Sequence, residues 1–357
     1  MSASSQIELI KRLTLTPGVS GFERGICEIM KSELGAAALC QKDNMGAVAF
    51  EFEGKTDKPK IMFIAHMDEL GFIVADMLES GFIKFQPMGG WNPNTLLSSP
   101  VEVINAKGEK YAGVIGAVPP HFQKGPDIKP DIDNMFIDIG AASRQDLMEN
   151  FGIQLGDQIA PVANFHFSAK NRRMFSKAFD DRVGVAALVE LGKRLSALEH
   201  ANTIYCVGSV QEEVGARGAG VVANYTDADV CFVLEGAPAD DVPGIPFNAQ
   251  TGVGKGAHVR VYDPTMTAKQ ELKDFVIATA KAGGIKIQLA VRKGGGTDGE
   301  KIYAANRGIP SIVLGVPVRY AHSHNCLISM DDFDELIKLL VKISENLDTK
   351  ALKKILG

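Results

Sequence analysis

The sequence predicts an α/β fold interrupted by a β-rich insert, and three observations carry that reading. Short apolar runs at Lys60–Asp68, Thr203–Val210, Ala228–Leu234 and Pro310–Val316 alternate with helical periodicity, the pattern of strands buried on both faces of a sheet. Between about residues 70 and 165 the texture changes to short β-type runs (GFIVADM, VEVINA, YAGVIGAV, MFIDIG) broken by Gly and Pro, which fits a small barrel or sandwich. The chain has 357 residues with 45% hydrophobic and 23% charged content, enough for a large core and more than one domain. The expected division is 1–69 and 166–357 for the α/β domain and 70–165 for the insert.

Each element has a local reason. Ser5–Leu15 reads as an amphipathic helix ended by Pro17-Gly18, and Arg24–Leu34 as a second helix after the turn at Gly21. Asp43-Asn44 with Gly46 is a hairpin turn between two short strands. Inside the insert only Ser143–Asn150 looks helical. Arg182–Leu198 places Val183, Ala186, Ala187, Leu191 and Leu195 near one helical face. Lys269–Ala282 is a helix and Lys286–Val291 a strand. Met330–Leu347 closes the chain as an amphipathic helix with Ser329 and Asp332 as its expected caps.

Bulk properties exclude several classes. A net charge of −5 and the lack of a basic stripe with aromatics argue against nucleic acid as partner. No apolar stretch approaches the ~20 residues of a membrane helix. The N-terminus shows no signal-peptide core, and Cys27, Cys40, Cys206, Cys231 and Cys326 make neither a CxxC nor an even set. A reduced, cytoplasmic protein is expected.

The most informative dipeptide is Glu212-Glu213, at the end of a buried strand. Two adjacent carboxylates there resist desolvation unless cations sit beside them. Their side chains diverge on an extended backbone, so one glutamate as metal ligand and one as proton carrier fits better than a shared role; a solvated loop is the plain alternative. His66 and Asp68 lie two apart in HMD and share a strand face, so Asp68 either orients a metal-bound His66 or is simply solvated. Asp180-Asp181 precede a helix and either cap it or bind metal, with Arg182 near enough to neutralise one of them. Glu235 and His322 each follow an apolar strand, and His324 reads as a loop histidine. Taken together, His66, Glu212-Glu213, Glu235 and His322 lie at or just beyond the C-terminal ends of separate strands, the edge where open α/β sheets bind ligands. Two histidines with Asp180, Glu213 and Glu235 suit zinc, cobalt or manganese, and fit two metals about 3.5–4 Å apart with one carboxylate bridging.

The stretches TPGVSGFE, IAHMDELGFIV, VPPH, KAFDDRVG, QEEVGARGAG, LEGAPADD, GGGTDG and VPVRYAHS occur in an order that resembles the M42 metallo-aminopeptidases, the glutamyl and tetrahedral aminopeptidase group, over nearly the whole chain. The resemblance implies a mixed-sheet α/β/α zinc-peptidase domain carrying an inserted β-barrel used in oligomerisation. It implies His66 and Glu235 on one metal, Glu213 and His322 on the other, and Asp180 between them. Glu212 becomes the general base, Asp68 the partner of His66, and a metal-bridging water the nucleophile. Some relatives carry aspartate where Glu235 stands. The expected substrate is a peptide cleaved at its N-terminal residue, the expected assembly a homo-oligomer, a dodecamer by likeness. Arg292 or Lys293, beside GGGTDG, either attracts an acidic side chain or is merely solvated. His121 either approaches an active site or is a turn histidine. A two-metal phosphoesterase, a metal-free glycoside hydrolase and an inactive scaffold on the same fold remain the rival readings.

Overall fold

The computed structural model describes residues 3–56, 58–122, 129–197, 200–245 and 248–357. Helices α1 (Ala3–Leu15) and α2 (Arg24–Leu34) come first, and α2 buries Ile26, Cys27, Met30 and Leu34 at helical spacing. The hairpin of β1 (Leu39–Lys42) and β2 (Val48–Phe52) follows. Its turn is closed by Asp43 Oδ1, which accepts the N–H groups of Met45, Gly46 and Ala47. Strand β3 (Lys60–His66) is buried from Ile61 to His66.

The insert is a closed barrel rather than a sandwich. Its strands are β4 (Gly71–Met77), β5 (Ile83–Met88), β6 (Pro100–Ile104), β7 (Lys110–Gly116), β8 (Phe136–Asp138) and β9 (Gln158–Pro161), closing in the order β4-β5-β8-β7-β6-β9. Closure leaves no open sheet edge. The barrel fills with its own apolar cluster, including Phe72, Phe85, Val103, Ile115, Ile137 and Ile159, and Trp91 stacks on Phe72 at 5.0 Å. Helix α3 (Arg144–Glu149) is capped by Ser143, whose hydroxyl accepts the Asp146 N–H.

After the barrel come β10 (His166–Ser168), β11 (Arg173–Ser176), α4 (Phe179–Leu195), β12 (Thr203–Ser209), α5 (Arg217–Thr226), β13 (Val230–Pro238), β14 (Ala257–Asp263), β15 (Met266–Thr267), α6 (Gln270–Ala282), β16 (Ile287–Val291), α7 (Gly299–Tyr303), β17 (Ser311–Val318), β18 (Cys326–Ser329), α8 (Met330–Asn346) and α9 (Thr349–Leu356). The main sheet runs β1-β2-β12-β3-β13-β17-β14-β15, with β16 beside β14. Strands β12, β3, β13 and β17 are mutually parallel, whereas β2 and β14 pair antiparallel at their flanks. Helix α4 packs on β3 and β13 with α1, α2 and α8 against it, while α5 and α7 pack on each other and on β12, β13 and β17. β12 and β17 are buried at every residue, which is why their sequences read as unbroken apolar runs. This is the mixed α/β architecture with an inserted barrel. Among the described residues no helix is long and apolar enough to cross a membrane.

Two local expectations change, and one strand was not expected. α4 ends at Leu195, and the expected end at Leu198 lies outside the described residues. Ser329 does cap α8, accepting the Asp331 N–H, but Asp332 does not share that task. Its carboxylate turns away to accept the N–H groups of Gly254 and Gly256. Strand β14 went unread because His258 and Arg260 interrupt its apolar pattern, although both are buried.

Candidate active site

The site forms where the parallel strands end. His66 is the last residue of β3, and Glu212-Glu213 follow β12 by a short turn. Glu235 lies within β13, and His322 four residues past β17. Asp180 and Asp181 have non-helical φ/ψ at the start of α4, and the peptide between them is cis. Gly236 lets β13 pass close to this turn, since a Cβ there would lie 2.8 Å from the Asp180 Cα.

Asp180 is the geometric centre of the group. Its Oδ1 lies 3.1 Å from His66 Nε2 and its Oδ2 lies 3.4 Å from His322 Nε2. Glu235 Oε2 is 3.9 Å from the same His66 nitrogen, and Glu213 Oε2 is 3.9 Å from that of His322. The other ring nitrogens face backbone carbonyls: His66 Nδ1 lies 3.1 Å from the Asp68 carbonyl and His322 Nδ1 2.9 Å from that of Gly90. Those contacts select the tautomer that leaves each Nε2 lone pair aimed into the carboxylate group. Gly90 belongs to the segment leaving β5, so the barrel supplies one partner of the site. Its neighbour Gly89, at φ +88, sits where a Cβ would strike Leu70 and come within 3.3 Å of Glu213.

Asp68 is fully buried and works harder than the orientation of His66 requires. Its carboxylate Oδ1 is 3.4 Å from His66 Nδ1, and its two oxygens also accept the N–H groups of Glu212 at 3.0 Å and Glu213 at 3.1 Å and the Ser20 hydroxyl at 2.6 Å. The two glutamates diverge as expected for separate roles: Glu213 turns to His322, whereas Glu212 feels His66 and Asp298 most strongly.

The Asp pair divides the two alternatives. Asp181 Oδ1 accepts the Gly184 N–H at 3.0 Å, a cap on the regular part of α4, while Asp180 reaches the histidines. Arg182 neutralises neither. It is fully buried and donates instead to the carbonyls of Leu13, Thr16 and Gly18, with Glu69 3.5 Å away.

The electrostatics show how costly this crowding is. Burial, reinforced by Asp180, pushes Glu213 up to about 8. Burial also raises Glu235, with Asp181 and Asp180 adding to it. Glu212 is raised by burial and by Asp298 and Glu213. Asp181 is raised by burial and by Asp180. His322 rises to about 9, since Asp180 and Glu213 outweigh its desolvation. Asp180 is held well below the carboxylate range, its burial overcome by the two histidines, and Asp68 is lowered too, its burial outweighed by His66, Ser20 and the Glu212 N–H. Among the described residues, Glu213 Oε1 and Asp181 Oδ2 are buried with no hydrogen-bond partner, as is Oδ1 of the neighbouring Asp298. Nitrogen and carboxylate donors meeting within 4.8 Å, with orphaned oxygens among them, match the donor chemistry of divalent transition metals. His66 joins one such group with Asp180 and Glu213 and another with Asp181 and Glu235.

A cavity of about 420 Å³ opens over this cluster, lined by Asp180, Glu212, Glu213, Glu235 and His322 and, farther out, by the loop Gly294–Thr297. Arg260 and Arg292 also line it, each paired within the chain: Arg260 to Asp263 at 3.3 Å, and Arg292 to Asp240 at 2.8 Å, the Thr251 hydroxyl and the Pro238 carbonyl, while the Nε of each has no partner among the described residues. Lys293 is exposed and outside the lining, and His121 sits exposed in a short 3-10 turn of the barrel and is not among the lining residues of this chain. His324 is a loop residue, yet buried beside Trp91. Sequence reasoning missed Asp181 as a neighbour of Glu235, Asp298 hydrogen-bonded to the Ser209 hydroxyl, and the Gly90 carbonyl. Only Asp298 carried a signal, as the acidic residue of GGGTDG.

Comparison with known proteins gives a consistent result. The profile of the M42 glutamyl aminopeptidase family matches residues 46–339. A glutamyl aminopeptidase of Lactococcus lactis subsp. cremoris (strain MG1363) is 33% identical over 353 residues, covering 97% of this chain and 98% of its own. The crystal structure of a TET aminopeptidase from a marine sediment archaeon, Thaumarchaeota archaeon SCGC AB-539-E09, superposes with a TM-score of 0.94 at 39% identity, covering 98% of this chain and 99% of that one. The TET1 peptidase of Pyrococcus horikoshii, which can assemble into a tetrahedron or a large octahedral shell, matches with a TM-score of 0.85 at 31% identity, covering 96% and 100%. With strand-end carboxylates and histidines gathered around Asp180 and a family match spanning most of its length, this chain belongs to the M42 aminopeptidases, hydrolases of the peptidase class.

Proposed function

We propose that the chain is a di-metal aminopeptidase that hydrolyses the first peptide bond of a peptide. The observation that carries this reading is Asp180, whose two oxygens divide between His66 Nε2 and His322 Nε2. One metal is assigned to His66, Asp180 and Glu235, the other to Asp180, Glu213 and His322. Zinc is the first choice, ahead of cobalt or manganese. When bound, such a pair acidifies water and polarises a carbonyl.

The chain's own groups do the rest. Glu212, raised by burial, takes the proton of the attacking water and hands it to the leaving amine. Asp68 fixes Glu212 and Glu213 through their backbone N–H groups and His66 through its ring. The surplus of carboxylates attracts the free α-ammonium of a peptide, which selects N-termini. Arg292 is paired with Asp240, which weakens its pull on an acidic first residue.

The same reading assigns 1–69 and 166–357 to catalysis and the insert 70–165 to assembly. The barrel exposes Val114, Val118 and Phe122, apolar surface suited to contact between copies. Likeness to the tetrahedral relative supports a homo-oligomer, with a dodecamer expected. Free thiols at Cys27, Cys40, Cys206, Cys231 and Cys326 fit a cytoplasmic protein acting on peptides.

Exhaustive chelation followed by zinc tests the function. Turnover of aminoacyl arylamides is expected to vanish on chelation, to return with zinc, and to be refused for N-acetylated substrates. Undiminished turnover in the chelated protein would point to metal-independent hydrolysis of the glycosidase type. Faster cleavage of phosphate esters than of arylamides would favour a phosphoesterase.

A further inference from the structure

Three consecutive N–H groups hold the turn that carries Glu212. Gln211 N–H donates to Glu23 Oε1 at 3.1 Å, Glu212 N–H to Asp68 Oδ1 at 3.0 Å, and Glu213 N–H to Asp68 Oδ2 at 3.1 Å. Gln211 stands at φ +58, a left-handed conformation that costs a residue with a Cβ and persists only where its surroundings impose it. Glu23 is the acceptor on the N–H of that strained residue. It is 5% exposed and reaches the turn from a separate segment. The same Oε1 also accepts the Gly21 N–H at 2.7 Å, so the oxygen is fixed from two sides. A second contact from this segment points the same way: Ser20 Oγ donates to Asp68 Oδ2 at 2.6 Å, bracing the carboxylate that holds the next two N–H groups. Both residues lie before residue 46, where the family match begins.

We infer that Glu23 is a positioning residue for the general base, aiming Glu212 by pinning Gln211, so that the N-terminal segment Val19–Glu23 braces the turn that carries the base. The inference rests on the reading of Glu212 as the base. Without the Glu23 oxygen, the Gln211 N–H loses its partner and the strained turn relaxes. Displacement of a reacting group by about 1 Å costs on the order of 10²-fold in rate. Glu213 keeps its own anchor on Asp68, so metal binding persists.

The experiment compares Glu23→Gln, Glu23→Asp and Glu212→Gln in the zinc-loaded full chain, reading kcat, KM and bound metal. Glu23→Gln keeps an acceptor oxygen at the same reach and is expected to stay within about twofold of wild-type kcat, because a neutral amide still accepts an N–H. Glu23→Asp keeps the charge but withdraws the oxygen by one methylene; kcat is expected to fall about tenfold or more while KM and bound metal hold. Wild-type kcat in Glu23→Asp overturns the inference. Equal losses in Glu23→Asp and Glu23→Gln overturn it too, as does a fall in bound metal that parallels kcat, since either marks a role in charge or scaffolding. Normal turnover in Glu212→Gln removes the base assignment itself, and the inference with it.

Discussion

Two groups of buried charge adjoin across a small cavity lined by Glu69, Lys177, Asp180, Glu213 and His322, and they are built on opposite terms. In the first, Glu69 is bonded by Lys177 at 2.5 Å and approached by Arg182 at 3.5 Å, and its remaining capacity is taken by the Gly18 N–H. All three side chains are 3% exposed or less, and every charge has an opposite charge within the chain. In the second, Asp180, Asp181, Glu212, Glu213 and Glu235 meet His66 and His322 as their basic partners among the described residues, and four of the five carboxylates are pushed up by burial. The first group pairs its charges internally, two cations converging on one carboxylate with Arg182 Nε left over, and it serves the fold, tying the end of α1 to the start of α4. The second carries more acid than base, an imbalance that bound cations would relieve.

The contrast makes ordered predictions. Glu212→Gln should have the largest effect, lowering kcat by about 10²- to 10⁴-fold, the usual range for a lost general base, with bound metal retained. A near-normal kcat would move the proton transfer elsewhere. Next, Lys177→Met should destabilise the protein by about 3 kcal/mol in denaturant unfolding, because Glu69 is left buried with a poorer partner. A loss below about 0.5 kcal/mol, the scale of a surface pair, would mean that the internally paired group is not structural.

The third prediction concerns pH. In the metal-free protein Glu213 titrates near 8 instead of 4.5, so the folded state holds a proton that the unfolded chain has released. Stability should therefore fall as pH rises from about 4.5 to about 8. His322, raised from 6.5 to about 9, works in the same direction, its contribution being lost as pH rises through that interval. Thermal unfolding followed across pH should show this slope, shallower in Glu213→Gln and shallowest with saturating zinc. A metal-free protein whose stability rises over the same interval would refute the imbalance.

How much of this was legible in the sequence follows from where each residue's signal sits. His66, Glu212, Glu213, Glu235 and His322 could be read because each stands at or near the end of an apolar run, and a polar residue there is locally conspicuous. The barrel could be read from its turn residues. What failed depended on direction in space. Arg182 looked like a partner for the Asp pair because it is adjacent, but the helix turns it the other way, onto the carbonyls at the end of α1 and just beyond it. Asp332 looked like part of a helix cap, but a loop brings Gly254 and Gly256 to it. Ser20, Glu23 and the Gly90 carbonyl reach the site from segments distant in the chain, and such contacts leave no mark on local pattern.

The central claim is that the unbalanced group is a two-metal centre shared through Asp180. Anomalous scattering from zinc-loaded crystals tests it most directly. Two peaks per chain are expected, one among His66, Asp180 and Glu235 and one among Asp180, Glu213 and His322. A single peak at saturating zinc, or peaks that leave Asp180 unligated, would contradict it.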